Sequence, residues 1–258
     1  MKKTLLSAFA GLAMVLGATL GGAPAEAAGG AKPPSQDWSW SGPFGTFDRA
    51  SLRRGLQVYA EVCASCHGVH LVAYRNLMDI GFSEDEVKAF ASEYEVEDGP
   101  DEEGEMYMRA ARPADRFVSP FANDNAARAS NNGALPPDLS LMTKARVGGA
   151  DYVYALLTGY EEEAPEGIEV LEGMSYNHFF PGNQIAMAPP IDDDSVEYAD
   201  GTVATKEQIS KDIVTFLTWT AEPEMEQRKR LGIKVLIFLV VFTGLLYALK
   251  RRIWADLH

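Results

Sequence analysis

From Leu231 to Leu249 the chain is apolar apart from Lys234, and that run leaves little choice of conformation. In hydrocarbon every backbone N–H and C=O needs a partner within the segment, so an isolated apolar stretch there must be a helix. About 19 residues at 1.5 Å each extend roughly 28 Å, close to the thickness of a bilayer core. Lys234 lies one turn inside the first end, where its stem can reach the interface and avoid a midplane cost of ~3 kcal/mol. Arg228-Lys229-Arg230 and Lys250-Arg251-Arg252 fence the run on both sides, which argues against a buried helix of a soluble protein. Because the fences carry similar charge, they do not set the orientation.

The opposite end carries a different signal. Lys2 and Lys3 precede an apolar run from Leu5 to Leu20, and Ala25-Glu26-Ala27 follows as a small-x-small cleavage pattern. This reads as a secretory signal peptide over 1–27, with Ala28 near the mature N-terminus, in preference to a retained anchor. The expected organisation is therefore an exported domain over 28–227, and an anchor with a short cytoplasmic tail over 228–258. Export places the body outside and Ala248 to His258 inside.

Residues 28–227 hold 14 Lys plus Arg against 35 Asp plus Glu, a net charge of −21. Such a surface excludes nucleic acid, which needs a basic face. It should attract a cationic partner, with an on-rate that falls as salt rises. The densest clusters are Glu84 to Glu86, Glu93 to Glu105, Glu161 to Glu163 with Glu166, and Asp192 to Asp194. Each alone reads as a solvated loop; only the total points to a basic partner.

The chain has two cysteines, too few for a disulfide framework. Both fall in Cys63-Ala64-Ser65-Cys66-His67, the attachment pattern of c-type haem: two thiols add to the vinyl groups and the next histidine is placed to ligate iron. On a helix, Cys63, Cys66 and His67 would share one face. A redox dithiol would want a strand before it, and a zinc site would want further ligands that a chain with no third Cys hardly supplies.

Leu52, Leu56, Tyr59 and Val62 recur at helical spacing before the motif, and Gly55 leaves room for a crossing helix. The candidate for that crossing starts at Thr205, with Gln208 three residues on as a capping box. It continues through Ile209, Ile213, Phe216 and Leu217 and stops before Pro223. An iron so held has an open question at its sixth position. Met187 sits in Pro181-Gly182-Asn183-Gln184-Ile185-Ala186-Met187-Ala188-Pro189-Pro190, a stretch too rich in breakers for a helix and able to hold an extended Met against a haem face. His178 is the rival. His70 falls on the wrong side of the iron and His258 across the membrane.

Arg53 through His67 with Val72-Ala73-Tyr74-Arg75 resembles the haem segment of the cytochrome c1 family. The likeness continues through Asp98-Gly99-Pro100, Asn131-Asn132-Gly133-Ala134-Leu135-Pro136-Pro137-Asp138-Leu139-Ser140, Leu156-Leu157-Thr158-Gly159-Tyr160, Met187-Ala188-Pro189-Pro190-Ile191, and the single C-terminal anchor. That resemblance implies Met187 as the ligand opposite His67, with Asn131, Pro136, Pro137, Arg146 and Tyr152 lining the haem pocket and Arg146 suited to pair with a propionate. Some bacterial members hold a haem-side loop with a further cysteine pair; both cysteines here are committed to haem, so packing must hold it.

The fold implied is mostly α, a class I cytochrome c-like domain with long insertions, one covalent haem c and one membrane helix. The role implied is that of an electron-relay subunit, not an enzyme on its own, in a dimeric ubiquinol–cytochrome c reductase complex of a bacterial inner membrane. Its partners there would be cytochrome b, the Rieske iron-sulfur protein and a basic soluble or membrane-tethered cytochrome c, with the haem domain on the periplasmic side. Two other classes compete. An independent membrane-anchored shuttle would not need the long Val72 to Asn132 insertion, and a haem enzyme or gas sensor would need an open sixth position.

Overall fold

A computed structural model describes residues 30–255. The stretch read as a signal peptide, its cleavage point at Ala28 and the terminal His258 lie outside the described residues.

The fold is mostly helical, as expected, and is organised on one helix crossing. Helix α1 (Arg49–Glu61) begins where the Asp48 carboxylate accepts the N–H groups of Ala50 and Ser51. Its residues Leu52, Leu56 and Tyr59 are buried against a helix near the C-terminal end of the domain, Lys206–Ala221, numbered α6 below. Gly55 is the crossing point: a Cβ there would lie 2.1 Å from the Asp212 carbonyl oxygen and 2.7 Å from Phe216 Cβ. The Thr205 hydroxyl caps α6 by accepting the Gln208 N–H at 3.2 Å. Only half of the expected capping box forms, because the Gln208 amide turns instead to Asp212 at 3.0 Å.

Asp212 is the polar knot of the crossing. It is fully buried and accepts from Arg54 Nε at 2.8 Å, Arg54 Nη2 at 3.0 Å and Ser51 Oγ at 2.6 Å. A buried carboxylate is tolerable only when so completely partnered, and such a set of partners is met at one register of the two helices.

Between α1 and α6 the chain makes a 3-10 turn at Cys63–Ser65 and then the long insertion. The insertion holds a 3-10 segment at Tyr74–Ile80, α2 (Glu84–Ser92), an antiparallel hairpin of β1 (Glu95–Asp98) and β2 (Tyr107–Ala110) with Glu95 opposite Ala110, and α3 (Asp124–Ser130). Its core is aromatic: Tyr74 stacks on Phe117 at 4.5 Å, and Phe117 meets Tyr59 of α1 edge-on at 5.9 Å. The insertion is thus continuous with the main core. Glu84 to Glu86, read as a solvated loop, form the first turn of α2, where acidic side chains suit the positive end of the helix. The Ser83 N–H, the Arg53 guanidinium and the Ser83 hydroxyl hold the Glu86 carboxyl at about 2.

After the insertion come α4 (Met142–Ala145), α5 (Gly149–Thr158), the short pair β3 (Ser175–Tyr176) and β4 (Gln184–Ile185), α6, and α7 (Met225–Trp254). The most apolar 18 residues of α7 have a mean hydropathy of 2.3 and none is buried, so this helix is long and apolar enough to cross a membrane. Its first turn belongs to the domain. Met225 and Glu226 are buried; Glu226 accepts the Phe47 N–H at 2.9 Å and Arg49 Nη2 at 2.9 Å. The basic fence also touches the domain: exposed Arg228 bonds Glu222 at 2.8 Å, and the half-buried Lys229 donates to the carbonyls of Trp40 and Gly45.

Candidate haem site

Helix α1 stops at Glu61, and the cysteine motif is a tight turn, where a continuous helix was expected. The N–H groups of Cys66 and His67 both donate to the Cys63 carbonyl, at 3.2 and 2.9 Å. The turn gathers the three residues in about one revolution of the chain. Burial, with Cys66 close by, pushes the Cys63 thiol up to about 12. A redox dithiol would want a strand before it, and helix α1 stands there instead. Among the described residues no group of three or more His, Cys, Asp or Glu is placed to hold a metal ion.

His67 has the chemistry an axial ligand needs. Its Nδ1 lies 2.7 Å from the Pro137 carbonyl oxygen, which can only accept. Nδ1 therefore carries the proton, and Nε2 keeps the lone pair that would bind iron. Burial lowers the pKa of the ring, against smaller opposing effects of Pro137 and the Asp138 charge, and so favours the neutral form. The Tyr59 hydroxyl bonds the His67 carbonyl at 3.1 Å, tying the motif to α1, and the Leu139 N–H bonds the Gly68 carbonyl at 2.8 Å. The residues present fit a covalently held haem.

Met187 lies past β4 in non-helical backbone, as its breaker-rich surroundings require. It is half-buried, and its carbonyl accepts the Tyr160 hydroxyl at 3.1 Å. Tyr160 pairs with Asn177 as an isolated antiparallel bridge. Asn177 is fully buried. Its amide donates to the Leu156 carbonyl at the end of α5 at 2.8 Å, and its oxygen accepts the N–H groups of Phe179 and Phe180, both at 3.1 Å. His178, the rival ligand, is exposed and packs its ring edge-on against Phe179 at 4.9 Å.

The other residues expected around a haem are placed less uniformly. Asn131 caps α3, with its amide donating to Ala127 at 2.7 Å. Pro137 presents the carbonyl that holds His67. Arg146 follows α4, is exposed, and makes no ion pair among the described residues. Tyr152 sits on α5; burial raises its hydroxyl while the nearby Arg146 charge opposes that shift. Sequence reasoning passed over Asn177 and Asp138 as structural groups. Asp138 stands next to Pro137 in a quoted block, but nothing in the pattern showed what it holds.

A cysteine pair and neutral histidine gathered in one turn, on a helical domain that ends in a single membrane-length helix, define a membrane-anchored c-type cytochrome. The model of the Cytochrome C1 family matches residues 38–257. Cytochrome c1 of Rhodospirillum rubrum is 50% identical, over 92% of this chain and 93% of the relative. Cytochrome b/c1 of Bradyrhizobium diazoefficiens is 52% identical, over 89% of this chain and 36% of the relative, so the chain spans about a third of that longer protein. The mitochondrial cytochrome c1 haem protein of Saccharomyces cerevisiae is 50% identical, over 88% and 74%. The chain belongs to the cytochrome c1 family, whose members carry haem c and transfer electrons.

Proposed function

We propose that this chain is the haem c subunit of a ubiquinol–cytochrome c reductase, taking single electrons from a Rieske iron-sulfur protein and passing them to a cytochrome c. One haem c would be attached through Cys63 and Cys66, with His67 and Met187 as axial ligands and Asn131, Pro137, Arg146 and Tyr152 around it. The observation that carries the reading is the His67 ring, held neutral with Nδ1 committed to Pro137 and Nε2 left for iron. The bound group supplies a one-electron iron couple, and a Met ligand favours its ferrous state.

The protein does the rest by holding. The turn places the histidine, the Pro137 carbonyl sets its tautomer, and Tyr160 and Asn177 hold the Met187 segment. No bond or proton needs to change hands at this site, so the chain is a relay and the oxidoreductase activity belongs to the assembly. Assembly with a cytochrome b is supported by the relative named cytochrome b/c1, of which this chain covers only 36%. The net charge of −21 over 28–227 supports a basic cytochrome c as acceptor. The signal pattern supports a periplasmic domain over 28–227 and an anchor over 228–258 in a bacterial inner membrane; the dimeric state of the complex follows from the family resemblance alone.

The test is purification of the membrane form in mild detergent, followed by potentiometric titration with near-infrared spectroscopy. Cytochrome b and an iron-sulfur protein should co-purify, the potential should be positive and the Met-to-iron charge-transfer band present. A lone haem protein would favour the independent shuttle. A low potential without the band, or a reduced spectrum altered by carbon monoxide, would overturn the ligand assignment.

A further inference from the structure

Next to the Pro137 carbonyl that holds His67 lies a carboxylate with an unusual share of the local backbone. Asp138 Oδ2 accepts the His70 N–H at 2.9 Å and lies 2.7 Å from His70 Nδ1, while Oδ1 accepts the Ser140 N–H at 2.9 Å. Ser140, fully buried, turns its hydroxyl to accept the Leu71 N–H at 3.1 Å. With the bond from Leu139 to Gly68, these contacts tie residues 68–71 to residues 138–140, and the His67 to Pro137 bond is the last rung of that ladder. The two segments run close: a Cβ on Gly68 would lie 3.2 Å from Asp138 Oδ2. Burial works against the Asp138 charge, but hydrogen bonds from Ser140 and His70 outweigh it and hold the carboxyl below its usual range.

We propose that Asp138 is a positioning residue for the axial histidine, setting how firmly the Pro137 carbonyl grips His67 Nδ1 and thereby the reduction potential of the bound iron. The proposal rests on the reading of His67 as iron ligand. A firm bond at Nδ1 makes Nε2 a stronger donor and favours the ferric state; loosening it favours the ferrous state. Deleting the negative charge also favours the ferrous state, so the two contributions must be separated. Asp138→Asn removes the charge but can keep its one oxygen on the His70 N–H, the rung between the two segments, giving up only the local Ser140 contact, whereas Asp138→Ala removes both.

The experiment uses the intact detergent-purified membrane form, with potentiometric titration and the g values of the ferric haem by electron paramagnetic resonance. At a fixed ambient potential, Asp138→Ala should raise the ferrous-to-ferric ratio about tenfold, 59 mV for a one-electron couple, and displace the largest g value. Asp138→Asn should stay within about threefold and keep the wild-type g value. Equal shifts in both variants would mean that charge alone acts, and would overturn the proposal, as would an Ala variant with unmoved potential and g values. If Asp138→Ala takes up no haem, Ser140→Ala, which removes the Leu71 rung and the Ser140 hydroxyl's bond to Asp138, should give a smaller shift of the same sign with a displaced g value; unchanged values there overturn the proposal. Failure of the underlying reading shows separately, as a His67→Ala variant that keeps the wild-type low-spin signal.

Discussion

The proposed histidine and methionine sides of the haem site are built differently. On the histidine side, the motif follows directly from α1, whose crossing with α6 is locked by Gly55 and the buried Asp212. On the methionine side, Met187 hangs from loops whose order comes from a two-residue strand pair, one tyrosine hydroxyl and one buried asparagine. Helix packing spreads its energy over many side chains, whereas loop scaffolding concentrates it in a few polar groups. The methionine side is therefore where local opening should begin.

Four variants would break or sharpen that contrast. The largest effect is expected from Cys63→Ala, which should abolish stable covalent attachment at that sulfur; acid-acetone extraction that still leaves all haem on the protein would refute it. Met187→Leu should leave attachment intact but lower the potential and slow electron acceptance, and an unchanged titration would remove Met187 from the ligand set. Asn177→Ala strands the Phe179 and Phe180 N–H groups and the Leu156 carbonyl, at a cost of about 2 to 3 kcal/mol. It should appear as carbon monoxide binding to the reduced protein, with haem still covalently held. Tyr160→Phe deletes one hydrogen bond to the Met187 carbonyl, worth about 1 kcal/mol, and should lower the midpoint of thermal bleaching of the Met-to-iron band by a few degrees. If Tyr160→Phe were as damaging as Asn177→Ala, the methionine side would have a hub other than the asparagine.

The same contrast explains what could be read in advance. Helices α1, α6 and α7 announce themselves through apolar spacing, caps and a fenced apolar run, because those signals are local. Gly55 could be assigned to a crossing because a small residue on an apolar helix face has few other uses. Asn177 and Asp138 act through partners up to about 70 positions away, and nothing in the sequence around a lone polar residue records such a partner. Asp212 was hidden for a further reason: in a chain this acidic, one more carboxylate reads as surface. The cysteine motif is plain in the sequence but its conformation is not, since a tight turn and a helix place residues three and four apart in similarly close company.

The joint between domain and anchor has a consequence for the bilayer. With Glu226 gripping the segment around Phe47 and Lys229 capped by two carbonyls, the molecule has no supple neck at the water line. An apolar helix answers a thicker or thinner membrane by leaning, and a head welded to its stalk leans with it. Lipid thickness then becomes a dial on the angle at which the redox face is offered to whatever approaches it.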